Sequence, residues 1–240
     1  MQKLSLALAA LLAVSTAAKA DYQCSVSPKD DVVINPQQVQ VVGQHGDLVI
    51  SPQGAVQFNG KAQSLSASQQ QQAVNYQQAL RNDLPWIDNG ARARVEKGRA
   101  ALDKIITEQV GESSSMHGRL EKLDAQLKAQ MNRIIEHRSD GLAFHYKAID
   151  QVRADGQQLV NQAMGGILQD SINEMGAKAL TGGNSKGGLQ GILGNLGGMQ
   201  NAIQQEWNNQ QADFKQFGKD VCSRVISLED QRKALVKGLK

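Results

Sequence analysis

The residues best suited to chemistry are few. They are two cysteines, Cys24 and Cys222, four histidines, and one serine in a G-x-S-x-G pattern, Ser185. Two cysteines cannot build a four-cysteine zinc site. Neither has a histidine beside it or a C-x-x-C spacing, so neither has the usual means of activating a thiolate. His137, Asp140 and His145 lie close in sequence. They lack the i, i+4 spacing that puts two zinc ligands on one helix face, and they read as solvated helix residues. A serine nucleophile elbow needs a strand before it and a histidine later in the chain. The stretch before Gly183-Asn184-Ser185-Lys186-Gly187 reads as helix, and the last histidine is His145. Lys186 is followed by Gly187, so the G-K-[ST] ending of a phosphate-binding loop is missing. Glu108, Glu112, Glu121 and Asp124 are spread along solvated helices, and no two form an acid–base pair. The expectation is a non-enzymatic chain with no cofactor and no metal site.

The two cysteines carry a structural reading instead. Met1-Gln2-Lys3, the apolar and small run Leu4 to Val14, and Ala18-Lys19-Ala20 form the three parts of a secretory signal peptide. The run has 11 residues, against about 20 needed to span a bilayer, so cleavage after Ala20 is expected rather than an anchor. Asp21-Tyr22-Gln23 before Cys24 is not the small, apolar approach to a lipidated cysteine. In an oxidising compartment two lone cysteines usually pair. A Cys24–Cys222 disulfide would tie the start of the exported chain to its last helix; two free thiols or a bond between chains are the alternatives.

The elements that position these residues fall into two regions. Residues 21–66 read as short strands: Val32-Val33-Ile34, Val39 to Val42, Leu48-Val49-Ile50 and Val56-Gln57-Phe58. Asn35-Pro36, His45-Gly46-Asp47, Pro52-Gln53-Gly54 and Asn59-Gly60 separate them as turns. Asn59-Gly60 suits a two-residue hairpin. A sheet this thin needs something packed on it.

From Ser66 the apolar period changes from two to about 3.6. Ser66 and Gln69 have capping-box spacing. A first helix is expected to about Arg81, a break at Leu84-Pro85, and a second helix through Val110. Leu120, Leu123, Leu127, Met131 and Ile134 mark a third helix, with a break or kink near Gly141, and a fourth follows through Ile149, Val152 and Leu159. Eight glycines crowd residues 181–198, which predicts a linker; its apolar residues also allow ordering on a membrane or partner. Trp207, Phe214, Val221, Leu228 and Leu235 then recur every seventh residue in a last helix from about Met199. Gln210, Arg224 and Gln231 interrupt the second seam of this coiled-coil pattern, which favours packing within the chain. The expected fold is α+β: a small N-terminal antiparallel sheet, then a helical region 67–240 forming an elongated bundle.

Charge excludes one class of partner. The formal net charge of +3 falls to +1 once Lys3 and Lys19 leave with the leader, so nucleic acid is not expected. Arg92, Arg94, Lys97, Arg99 and Lys104 are interleaved with Glu96, Asp103 and Glu108, the pattern of a solvated face with i, i+4 pairs. The 31 glutamines, four of them consecutive from Gln69, make long uncharged polar helix faces. Aromatic residues are only 4% of the chain, which argues against a ligand pocket.

The early Cys24, Asp31-Val32-Val33-Ile34, Leu48-Val49-Ile50, Gly54, Asn59-Gly60, Leu65-Ser66, Tyr76, Leu80, Pro85 and the late Cys222 together resemble the YggN-like periplasmic proteins of proteobacteria. The resemblance runs over nearly the whole exported chain and is most specific from Leu48 to Pro85. It implies a periplasmic address and brings no catalytic residues. The expected function is a non-enzymatic envelope protein that binds another macromolecule, chaperone-like in one version. The alternative is a membrane- or cell-wall-associated structural component, with peripheral membrane contact through 181–198.

Overall fold

The computed structural model describes residues 24–181, 188–237 and 239. The expected leader at 1–20 and the Ser185 pattern lie outside them. The chain is α+β. Strands β1 (Asp30–Ile34), β2 (Val39–Gly43), β3 (Leu48–Ile50), β4 (Val56–Phe58) and β5 (Lys61–Ala62) come first. Helices α1 (Ala67–Gln109) and α2 (Met116–Ile134) follow, then β6 (Ile135–Arg138), β7 (Gly141–Phe144), α3 (Ala148–Thr181) and α4 (Gly188–Val236).

The seven strands form one antiparallel sheet in the order β5-β4-β3-β2-β1-β7-β6. Register decides its buried face. Val32 lies opposite Val41 and Phe144, Ile34 opposite Val39 and Leu142, and Leu48 opposite Val41 and Phe58. Opposed residues share a face, so all of these point one way. Val39, Val41, Leu48 and Ile50 are essentially sealed from solvent, while Val42 on the other face is exposed. Full burial of such side chains contributes about 1.5–3 kcal/mol each. The Asn59-Gly60 hairpin forms, with positive φ at both residues as its turn type requires.

The sheet is larger than residues 21–66 predicted. Its sixth and seventh strands come from 135–144, where the sequence suggested only a break near Gly141. The hairpin turns at Ser139-Asp140, and Gly141 then enters β7 directly over β1. A β-carbon on Gly141 would lie 1.9 Å from the Ile34 carbonyl oxygen, so only glycine lets the strands approach here.

Helix α1 is capped as expected. The Ser66 hydroxyl accepts from the Gln69 amide, and the Gln69 side chain accepts from the Ser66 amide. It does not break at Pro85, however, but runs unbroken for 43 residues. An interior proline costs about 3 kcal/mol. Tyr76, Leu80 and Leu84 before it and Ile87 after it all pack on the sheet core, and this burial offsets the cost.

The glycine-rich stretch also departs from expectation. Residues 188–198 are the first turns of α4, which therefore starts well before Met199. Leu189, Ile192, Leu193 and Leu196 have helical spacing. Gly198 lets the helix lie against the Gln109 side chain at the end of α1, where an added β-carbon would sit 3.2 Å from Oε1. Met199 is buried immediately after it. The rest of the expected linker, 182–187, is outside the described residues.

The helices pair antiparallel. Arg94 on α1 meets Asp213 on α4 at 2.7 Å, and Arg224 on α4 meets Asp83 on α1. Arg119 on α2 meets Asp170 on α3 at 2.8 Å. A second core lies away from the sheet, where Ile105, Ile106, Val110, Met116, Leu120, Ile167 and Met199 close together.

Candidate binding groove

The sheet core is not filled throughout. Beside β1 and β7 an apolar cavity of about 1330 Å³ runs between the sheet, α1, the start of α3 and α4. Val32, Val41, Ile135, Tyr76, Leu80 and Leu84 lie along its inner side but are themselves nearly sealed from solvent, and Phe144 and Ile87 beside them are half-buried. The opposite wall is a single stripe of α4, from Phe214 through Val221 and Val225 to Arg232. Phe214 and Arg232 are 18 positions apart, about 27 Å at 1.5 Å per residue.

Segment 24–29 lies along the cavity as a strap and contributes Cys24, Val26 and Pro28 to its lining. Cys24 is bonded to Cys222 on the groove-facing stripe of α4, with Cα atoms 5.5 Å apart. The bond thus fixes the strap to the helix that walls the groove.

Five of the nine aromatic residues line this space: Tyr76, Phe144, Tyr146, Phe214 and Phe217. The low aromatic content therefore does not argue against a cavity, because more than half of it is gathered here. Trp86 stands behind the wall, with its ring 5.3 Å from that of Phe217 and under the Arg224 guanidinium. The seventh-residue stripe of α4 is unevenly covered. Leu235 and Leu228 belong to the sheet core. Phe214 remains 40% exposed and Trp207 49%, and their rings stack on each other at 6.2 Å.

One end of the groove is polar and closed. Asp30 opens β1 and lies opposite Gly43, where a β-carbon would meet Asp30 Oδ1 at 2.1 Å. Arg232 reaches it from the last turns of α4, Nε to Oδ2 at 3.1 Å. Both side chains are more than nine-tenths buried. Asp30 Oδ1 has no hydrogen-bond partner among the described residues, while Arg232 Nε is held by the ion pair to Oδ2. Burial pushes the Tyr76 hydroxyl well above the ordinary phenol range, with Arg232 partly opposing it, so it stays a protonated donor. Lys147 at the mouth lies beside the Tyr146 ring, 5.8 Å from its centroid.

The other chemistry-bearing residues are dispersed. His137 meets Asp88 at 2.7 Å, His145 meets Glu136 at 3.2 Å, and His117 meets Asp103 at 2.6 Å. His137 in β6 and His145 just past β7 thus face different partners, Asp140 sits in the turn between the two strands, and none of the three lies on a helix as the sequence suggested. Among the described residues no group of three or more His, Cys, Asp or Glu could hold a metal ion. The basic row of α1 is neutralised locally: Arg92 pairs with Asp88, Arg99 with Glu96 and Lys104 with Glu108. Glu96 is held below the usual carboxylate range by hydrogen bonds from Arg99 and then Lys128. No described helix is long and apolar enough to cross a membrane.

Sequence reasoning reached Cys24 and Cys222 but not the groove. Tyr76 entered only through the family resemblance, Leu84 as the expected helix break and Val221 as one of the seventh-residue stripe, and nothing in the sequence singled out Asp30 or Arg232. The alternation of Leu142 and Phe144 behind Asp140-Gly141 was the available signal for the missing strands.

These features define an α+β protein whose sheet and two long helices enclose a strapped apolar groove. The chain belongs to the family described as Protein of unknown function (DUF2884), whose model matches residues 24–240. It is 67% identical to the Uncharacterized protein YggN of Escherichia coli strain K12, over the whole of both chains. The proteins of the same description in strains O6:H1 (CFT073) and O157:H7 match to the same degree. No solved structure matches.

Proposed function

We propose that the chain is a non-enzymatic, exported protein of the bacterial envelope that holds another macromolecule in the groove between α1, α4 and the sheet, in the manner of a chaperone. The observation that carries this reading is the α4 stripe. Its C-terminal half is consumed by the sheet core, while Phe214 and Trp207 continue the same face into solvent at the mouth of the cavity. Large apolar side chains exposed beside an apolar cavity are what an interaction surface offers. The leader-like first 20 residues support export, and the charge balance supports a protein or envelope component over nucleic acid.

The test is suppression of aggregation of an unfolded outer-membrane protein diluted from denaturant, followed by light scattering. Suppression at substoichiometric dose is the expected result. No effect at several-fold excess would remove the chaperone reading.

A further inference from the structure

Segment 24–29 is fastened to α4 at both ends. Cys24 is bonded to Cys222, and Asp30, where the strap enters β1, is paired with Arg232 at 3.1 Å. The two anchors on α4 are ten positions apart, about 15 Å of helix. The six steps from Cys24 to Asp30 reach about 20 Å when extended, so the strap runs alongside the helix. Its exposure alternates: Cys24, Val26 and Pro28 are half-buried, while Ser25, Ser27 and Lys29 are exposed. The inward residues line the same space as Val32 and Val41 of the sheet and Val225 and Leu228 of α4. Val32 and Val41 are nearly sealed, so the apolar side beneath is closed with the strap in place.

The two fastenings differ in kind. Asp30 and Arg232 are buried side chains, and β1 is paired on both sides, so this end keeps its place without the disulfide. Among the described residues no hydrogen bond or ion pair reaches Ser25, Val26, Ser27 or Pro28. Ordering four backbones costs more than two half-buried side chains return, so the strap stays down because it is bonded. The bond is open to attack from one side: Cys222 is buried on α4, whereas Cys24 is half-buried on the strap. A thiolate attacking Cys24 Sγ breaks the S–S bond and expels Cys222 as a thiolate, which takes up a proton. The second thiolate of a dithiol then attacks the mixed disulfide, leaving Cys24 as a thiol and the reductant as a disulfide. We propose that segment 24–29 is a redox-released cover: a dithiol reductant opens Cys24–Cys222, the strap swings away about Asp30, and the apolar side of α4 and the sheet beneath it becomes a binding surface. This rests on the reading given above for what the uncovered side then does.

The experiment uses the purified full chain as exported, with its disulfide formed. Dithiothreitol is the reductant, and the thiols it releases are counted by alkylation and intact mass. The rate of reduction is expected to follow dithiothreitol concentration and to stay constant in urea below the unfolding transition, because only the strap must move. A rate that climbs with urea puts the bond behind global unfolding and overturns the proposal. The reduced, alkylated chain is expected to keep its far-UV circular dichroism and to bind at least threefold more anilinonaphthalene sulfonate than the oxidised chain. Cys24→Ala with Cys222→Ala is expected to match it with no reductant present. Dye binding unchanged in both, or loss of the native dichroism in both, would overturn the proposal. In the aggregation assay the reduced chain is expected to act at a dose at least threefold lower than the oxidised one. Equal suppression by the two forms, with the strap shown to open, overturns the regulatory role and leaves the binding reading standing. No suppression by either form, with the strap shown to open, overturns the binding reading and upholds the cover.

Discussion

Removing the Cys24–Cys222 bond tests how the strap contributes to stability. The bonded residues are 198 apart in sequence. Loop-closure entropy then gives roughly 5 kcal/mol as an upper limit, acting through the unfolded chain. The folded state has little to lose. Leu228 and Leu235 hold the end of α4 on the sheet, and β1 is paired on both sides. Only the short strap before Asp30 depends on the bond for its position. For a chain of this size about 1 kcal/mol moves Tm by 2–4 °C, so Cys24→Ala with Cys222→Ala should lower Tm by several degrees and by no more than roughly 10–20 °C. The assay is calorimetry and urea unfolding of the parent and the double variant, both run in parallel with the reduced parent. The urea m-value should rise in the double variant, because an unlinked chain exposes more surface when unfolded. A Tm within about 2 °C of the parent would refute the entropic account. A large Tm loss with an unchanged m-value would place the effect in native contacts instead.

Three further outcomes follow from the fold. Gly141→Ala places a β-carbon against the Ile34 carbonyl and should unpair β7 from β1, with a loss above about 2 kcal/mol in urea unfolding. Leu48→Ala in the sealed sheet core should cost about 2–5 kcal/mol, whereas Val42→Ala on the exposed face should stay within about 0.5 kcal/mol. His117 has its pKa raised by its hydrogen bond to Asp103, so the folded state binds its proton more tightly than the unfolded chain does. That stabilisation is complete below the unfolded value near 6.5 and fades as pH rises through the folded value; His117→Gln should therefore lower Tm more at pH 5.5 than at pH 9.

What could be read in advance was local. The Asn59-Gly60 turn and the Ser66–Gln69 capping box are decided by neighbours within four residues, and both form. Pro85 was misread because its penalty is local while its compensation comes from the sheet packed against both flanks. The β6–β7 hairpin was misread for the same reason. Ile134-Ile135 continues the apolar stripe of α2, and the strand that captures the hairpin, β1, lies about 110 residues earlier. The glycines before Met199 lower helix propensity, yet the apolar spacing through them keeps the helical period.

The α4 stripe shows why the groove itself was out of reach. Trp207, Phe214, Val221, Leu228 and Leu235 are equivalent in sequence, each an apolar residue seven after the last. Their environments differ because the sheet reaches only part of the helix. Leu228 and Leu235 meet it, Val221 faces a gap beside β7, and Phe214 and Trp207 pass beyond it into solvent. Periodicity reports that a face wants cover; it carries no information on whether the chain supplies the cover. The same holds for Asp30 and Arg232, about 200 residues apart and each unexceptional alone. Only their meeting beside the sheet turns two charges into a buried ion pair that fastens the end of α4 to the start of β1.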